Sequence, residues 1–416
     1  MSLLGASRSI SLRVDGQDYM IWTQASITRD LSEISHSFSL QCDDVARAMA
    51  ALPPKARPVM APQMLRWGQS CEILIDGEST LVGWIVDVMP VISGRQIGVS
   101  ISGYDKTGDL VDCAAAPNGP MEWHGLKIED YARKLCKPFG ISVAVEADTG
   151  EPLKKISIDT GETVMSAIEK VTRKRGLLVV SDGVGGIILT RSGTTRAPAD
   201  LKLGQSITEG RGQFSSRNRF SDVYVKGQIG GAAGQRKSAP LDVTAAPFSA
   251  VPAQDTGPSG PDAPSGKESR ALAIQGHAQD KDVKRWRPTV KQVRSASLLK
   301  DAQAQAEWYV ANARGASETV TYSYAGFRAN GTLWRLNTLS HVSDPYQDID
   351  KDLLIAGIVM NYGPQGSVTE LRLTGKEAYD IMAESDDAAG SGSNASSGSG
   401  GKTTGTDLDT RAEPLS

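Results

Sequence analysis

The stretch Val99–Ala116, VSISGYDKTGDLVDCAAA, decides how the chain is read. Val99, Ile101 and Gly103 alternate with polar residues, the two-residue period of a half-buried strand, and that strand exits at Asp105. Lys106, Thr107 and Gly108 turn the chain, which leaves on the short apolar run Leu110, Val111, Cys113. Everything upstream reads as antiparallel β structure. Everything downstream, to about residue 195, reads as α/β.

Upstream, Ile10, Leu12 and Val14 lead into Asp15-Gly16, the strongest two-residue hairpin signal. Tyr19 and Ile21, then Ser26 and Thr28, continue as a second strand, and Ile34–Leu40 is a third. Pro53, Pro54, Pro58 and Pro62 cannot donate to a sheet ladder, so residues 43–66 predict an excursion, with a short helix at Asp44–Leu52. Strands resume at Cys71–Ile75, turn at Asp76-Gly77, return at Leu81–Val88 and repeat at Gln96–Ser102. Short strands with glycine turns predict a first antiparallel β-barrel over 1–113.

Downstream, 114–200 is predicted to be an inserted α/β unit with an internal repeat. Ile128, Tyr131, Ala132, Leu135 and Phe139 follow helical spacing, Gly140 stops the helix, and ISVAV forms a strand. Val164, Ala167, Ile168 and Val171 repeat the spacing, Gly176 stops it, and LLVV follows. The glycines sit where a helix C-cap takes a left-handed residue, with basic residues before them. Residues 201–230 and 315–380 predict a second β-barrel, with SDVYVKGQ among its strands. Between them, 231–314 predicts a Pro/Gly-rich linker followed by a helix, Leu298–Arg314, stopped by Gly315. Residues 250–267 and the Ser/Gly-rich 384–416 are too poor in apolar side chains to offset ordering entropy and predict mobile segments. The fold class is α+β, mainly β.

The 416 residues leave room for roughly two to four domains. A net charge of −3 disfavours general affinity for nucleic acid, which binds through neutralised phosphates. No apolar run approaches the roughly 18 residues that span a bilayer. The opening MSLLGASRSISLRVDG lacks the pattern of a secretory signal, which predicts synthesis and assembly in a cytoplasm.

Chemistry finds no candidate constellation. Cys42, Cys71, Cys113 and Cys136 are widely spaced, and His36, His124, His277 and His341 stand apart from them, which argues against a metal site. Asp105, Asp109 and Asp112 would stack on one helical face and attract a hard cation, but Gly108 interrupts the run and Asp at a strand exit forms turns. The run Asp182–Gly186 follows a strand and leads into another, so it is a hairpin turn and not a phosphate cradle. Lys281, Lys284, Arg285, Trp286 and Arg287 could grip phosphate or stack a base, but Asp280 and Asp282 interleave, which favours a solvated surface or a subunit contact. No Ser/His/Asp ordering and no Cys with a partner His appears. No catalytic, cofactor or metal residue is predicted, and the chain reads as a non-enzyme.

Four blocks carry a family resemblance: Trp22–Asp30 (WTQASITRD), Gly103–Ala116 (GYDKTGDLVDCAAA), Asp159–Ile168 (DTGETVMSAI) with Arg175-Gly176, and Ser221–Gly227 (SDVYVKG) with the later VKRWRP. They resemble the Mu-type contractile phage baseplate hub proteins, the gpP or late control D-like tail protein family. The resemblance implies a ring-shaped homotrimer in the virion tail baseplate. Each subunit would carry two similar β-barrels, so that three subunits mimic six-fold symmetry. Such a ring joins the tail tube above to a trimeric spike below, beside other baseplate proteins, and leaves a channel through which DNA passes without specific binding. Related hubs occur in T-even phages and type VI secretion spikes, so a non-phage contractile injection system is an alternative. The unit IEDYARKLCKPFGISVAV also resembles a LysM-type repeat, which would make the chain a cell-wall glycan binder.

Overall fold

The computed structural model describes residues 10–20, 22–42, 65–92, 97–116, 119–193, 195–228, 273–293 and 299–382. The expected helix at 44–52, the stretch 250–267 and the tail 384–416 lie outside them.

The first seven strands are β1 (Ile10–Val14), β2 (Gln17–Tyr19), β3 (Gln24–Asp30), β4 (Glu33–Cys42), β5 (Ser70–Ile75), β6 (Glu78–Ile92) and β7 (Ile97–Asp105). Both Asp-Gly pairs turn as read: Asp15, Gly16, Asp76 and Gly77 all have positive φ, as a type I′ hairpin turn requires. Strand β7 hands over to helix α1 (Gly108–Asp112), β8 (Glu122–Leu126), helix α2 (Ile128–Cys136), β9 (Ser142–Val145), β10 (Leu153–Ser157), helix α3 (Val164–Thr172), β11 (Leu178–Ser181) and β12 (Gly186–Thr190). Helices α2 and α3 each run into a 3-10 turn closed by a left-handed glycine, Gly140 at φ 65 and Gly176 at φ 63. The two copies are one body: β12 lies beside β9 in a three-stranded sheet, and Ile128, Leu135, Val164 and Val171 share one core.

The chain continues through β13 (Thr195–Arg196), β14 (Leu201–Lys202), β15 (Ile207–Phe214), β16 (Asp222–Gln228), β17 (Ala273–Gln279), β18 (Pro288–Val293) and helix α4 (Leu299–Ala316). It ends with β19 (Glu318–Ala325), β20 (Arg328–Ala329), β21 (Thr332–Leu333), β22 (Thr338–Asp344), β23 (Ile349–Gly363) and β24 (Gly366–Thr374). The molecule is thus mainly β, with few helices and a large sheet of mostly antiparallel pairs.

Two expectations are corrected here. Residues 222–228, expected with the second β unit, pair instead with β17 and β18 in a separate three-stranded sheet. Val223 and Val225 face Ala302, Ala306 and Val310 of α4, so an alternating pattern that would suit any half-buried sheet is satisfied by a helix. Gly315, expected to stop α4, lies inside it: a Cβ there would stand 2.6 Å from the backbone nitrogen of Ala378, and Asn312 caps the carbonyls of Glu377 and Ala378 alongside. The glycine allows close approach and does not end the helix.

The main sheet has fourteen strands, ordered β15-β19-β24-β23-β3-β4-β7-β6-β5-β1-β2, with β22 on β23 and β13 and β14 on β22. It is one continuous sheet and, among the described residues, neither half closes on itself. Its halves repeat one order: β3-β4-β7-β6-β5 corresponds to β15-β19-β24-β23-β22. Each half holds a 15-residue strand followed by a nine-residue one, β6–β7 and β23–β24. Each long strand has its register shift at the same place, between Ile85 and Asp87 and between Ile355 and Gly357. The halves join where β23 pairs with β3, Gly357 opposite Asp30 through Tyr362 opposite Ala25, and they share one apolar core.

Candidate functional site

The block that opened the sequence reading ends in a buried polar junction between the first half of the sheet and the inserted unit. Asp105, fully buried, closes β7. Its Oδ1 accepts from the Thr107 backbone N–H at 3.2 Å and the Thr107 hydroxyl at 2.6 Å. Its Oδ2 accepts from the Ser181 hydroxyl at 2.6 Å, at the end of β11. Burial raises the Asp105 carboxyl above the ordinary range, with those hydrogen bonds opposing. His36 Nδ1 lies 3.5 Å from the same carboxylate. Burial, helped by the charge of Arg29, lowers His36 to about 3, so this contact is dipolar and not ionic. Arg29 is buried, donates to the Thr80 carbonyl, and is lowered to about 10 by burial.

The turn after Ser181 locks into this cluster. Gly183 has φ +80, and a Cβ there would stand 3.0 Å from the Thr80 oxygen and 3.3 Å from both Arg29 and His36. Its carbonyl accepts from Val82 N–H at 2.8 Å. Asp182 organises the rest of the turn by accepting from the N–H groups of Val184 and Gly186, both at 2.8 Å. It is a hairpin turn wedged against the sheet. A cleft of about 440 Å³ opens beside it, lined by Arg29, Thr80, Glu146, Asp182, Trp334 and Arg335 among others.

This arrangement holds units together. Ser181 donates to the Asp105 carboxylate and accepts from Gly183 N–H, so both of its hydrogen bonds are spent inside the buried junction. The three aspartates singled out by spacing do not meet: Asp105 is in the junction, Asp109 accepts from Trp84 Nε1 at 2.9 Å, and Asp112 stays on the α1 surface. The histidines are dispersed. His277 stacks on Tyr224 with ring centroids 4.4 Å apart and lies 2.9 Å from Asp222; His341 sits between Asp350 and Asp352. Among the described residues no group of three or more His, Cys, Asp or Glu could hold a metal ion, and no disulfide joins the four cysteines.

The basic stretch divides in two. Arg287 donates to the Ser216 carbonyl at 2.6 Å and lies 4.9 Å over the Phe220 ring. Buried Asp280 takes two 2.8 Å bonds from Arg219. Lys281, Lys284 and Arg285 remain at the surface beside Trp286, whose side chain is exposed.

Two edges of the main sheet matter here. Among the described residues β15 pairs only with β19, and seven of its eight residues are exposed. Strand β6 pairs with β5 no further than Trp84, so from Val86 to Ile92 one side carries no paired strand among the described residues. The period-2 reading finds such strands but not their free edges, because alternation reports burial of faces and says nothing of hydrogen-bond partners.

Three family models match along the chain: the Mu phage baseplate assembly protein GpP-like N-terminal domain at 9–105, the second domain of baseplate hub protein gp44-like proteins at 107–191, and the GpP fourth domain at 298–382. Baseplate hub protein gp44 of Escherichia phage Mu is 28% identical over 389 residues, 91% of each chain. Among solved structures, the 43 kDa tail protein of prophage MuSo2 from Shewanella oneidensis is similar, with a TM-score of 0.72 and 28% identity over 90% of this chain and 100% of that one. The tail protein from Neisseria meningitidis MC58 shares the fold, with a TM-score of 0.65 and 24% identity over 89% of this chain and 97% of that one.

Proposed function

The chain belongs to the Mu-type phage baseplate hub family, and from that premise we propose that it forms a ring-shaped homotrimer joining the six-fold tail tube to the three-fold central spike. The observation that carries this is the repeated strand order of the two sheet halves. Three copies of a subunit with two like halves present six near-equivalent units, the arrangement an adaptor between six-fold and three-fold partners needs. Each half would close into a barrel-like wall in the ring. The inserted α/β unit and the small sheet backed by α4 would stand outside the wall.

The role is structural and not catalytic, in the tail baseplate of a virion made in a bacterial cytoplasm. DNA would pass through the axial opening without specific contacts, since a densely basic lumen would retard it. The LysM-like alternative fits less well: the helix–glycine–strand copies share one core, with the inner faces of both helices buried against each other.

Mass in solution together with an electron-microscopic image tests the reading. A three-subunit ring with an axial hole is expected. A monomer at high concentration, or a dimer without an opening, would overturn it.

A further inference from the structure

The repeated halves carry more than a count, because equivalent strands have unequal neighbours. Strand β3 is second neighbour to β7 through β4, and β15 holds the same place relative to β24 through β19. Register fixes the match. Thr28 lies opposite Ser37 and Ser37 opposite Tyr104; Gln213 lies opposite Thr319 and Thr319 opposite Thr374. The bulges make Asp87 the counterpart of Gly357, hence Met89 the counterpart of Val359.

Within the chain, β3 is covered by β23, with Thr28 opposite Val359. The counterpart of β3 is β15, whose outer edge carries no strand among the described residues. The counterpart of the covering stretch of β23 is Asp87–Ile92 of β6, whose outer edge likewise carries none among them. Each open edge has the form that the other's counterpart already binds. The exposed apolar side chains agree: Phe214 on β15 is 57% exposed and Met89 on β6 is 53% exposed. Phe214 occupies the place of Arg29, which in the first half is buried at the junction with the inserted unit.

We propose that β15 of one subunit pairs antiparallel with β6 of a second copy of this chain, Phe214 opposite Val88 and Gln213 opposite Met89, repeating the β3–β23 joint between subunits. The proposal rests on the ring reading and names its seam. Main-chain hydrogen bonds between unpaired edges supply the affinity. Pro90 withdraws one donor, which an edge strand tolerates. The contact joins unlike surfaces, so it continues from copy to copy until the ring closes.

Cysteine pairing tests the register in the full-length chain. The variant Gln213→Cys/Met89→Cys places two thiols directly opposite across the seam, where cross-strand Cβ atoms stand about 5 Å apart. Mild oxidation is expected to give covalent dimer and trimer bands and nothing larger. Thr28→Cys/Val359→Cys, the same pair at the covered joint, reports oxidation within one chain. Gln213→Cys/Pro90→Cys points the thiols to opposite faces and is expected to give no ladder. A trimer by native mass that forms no interchain link, while the internal control oxidises, would overturn the seam and leave the ring standing. A monomer by native mass would overturn both.

Discussion

Strands β3 and β15 hold the same place in the two halves of the sheet, yet β3 buries Ala25, Ile27 and Arg29 while β15 leaves seven of its eight residues exposed. The side chains follow the difference. Where β3 carries Ala25 and Ile27, β15 carries Gly210 and Gly212. A Cβ at Gly210 would stand 2.9 Å from the Tyr322 ring, and one at Gly212 would collide with the Gln347 amide. In the first half the strand fills the space beneath it; in the second, Tyr322 of β19 and Gln347 of the turn between β22 and β23, linked through Asp344, fill it. Burial along a strand is thus set by what covers it, and two strands with one topology reach it with opposite side chains.

The halves also differ where their last strands end. Strand β7 ends on Asp105, which anchors the inserted unit through Ser181, whereas β24 is followed by Gly375, where a Cβ would stand 2.9 Å from Gly315 of α4. One end is held by a buried carboxylate and the other by close backbone packing. Replacing Asp105 with Ala is therefore expected to have the largest effect, about 3–5 kcal/mol in urea unfolding, because it leaves the buried Thr107 and Ser181 hydroxyls without their acceptor and removes a negative charge that favours buried Arg29. A loss below about 1 kcal/mol would show that the inserted unit is held by its apolar contacts instead. Next comes the covered joint itself. Ile358 on β23 is fully buried opposite Arg29, and Ile358→Ala is expected to cost about 2–5 kcal/mol. The open edge predicts the reverse: Met89, the counterpart of Val359 beside it, is exposed, and Met89→Ala is expected to stay within about 0.5 kcal/mol in the isolated chain. Equal costs at the two sites would break the comparison.

The junction adds a pH dependence of its own. His36 titrates at about 3 in the folded chain against about 6.5 when unfolded. Between those values the unfolded chain binds a proton that the folded chain refuses, so stability falls as the pH drops below about 6.5, by up to about 1.4 kcal/mol per pH unit. Asp105 has the opposite sign: its raised pKa means the folded chain takes up a proton at higher pH than the unfolded one, which adds stability on acidification. His36→Asn is expected to remove the first slope and uncover the second in unfolding midpoints between pH 7 and pH 4.5. An unchanged slope would place the acid sensitivity elsewhere.

What the sequence made legible was local. Asp15-Gly16 and Asp76-Gly77 announce positive φ wherever they occur, and Gly140 and Gly176 end helices by the same logic. What it left unread was the choice of partner. The pattern of Val223 and Val225 is satisfied equally by a second wall or by α4, and the residues that pair β3 with β23 lie more than three hundred positions apart. Gly315 misleads for a related reason, since a glycine that ends a helix and one that admits a neighbouring backbone look alike in one dimension. Of the junction, Asp105 reads in sequence as a turn former. Arg29 lies in the Trp22–Asp30 block without any sign of burial, and His36 has no cysteine near it in sequence to mark it. The functional reading came from the four blocks of family resemblance, because an assembly surface of backbone edges carries no reactive side chains to find.

The smallest effect on the single chain is expected at Phe214. Its ring is 57% exposed, so Phe214→Ser should change the unfolding free energy of an isolated subunit by no more than about 0.5 kcal/mol. Burying a phenylalanine contributes about 1.5–3 kcal/mol, and each 1.4 kcal/mol is tenfold in an equilibrium constant. If a second copy covers β15, the same substitution should weaken subunit association ten- to a hundredfold, read as a shift of mass from trimer to monomer on dilution. Arg29→Ser at the matching place should do the opposite, lowering the stability of the single chain while leaving the association surface intact. Two substitutions at equivalent positions, one visible only in folding and the other only in assembly, separate a strand covered by its own chain from one that waits for another. Should Phe214→Ser leave association unchanged, β15 would be an edge that no copy covers, and the likeness of the halves would end at their strand order.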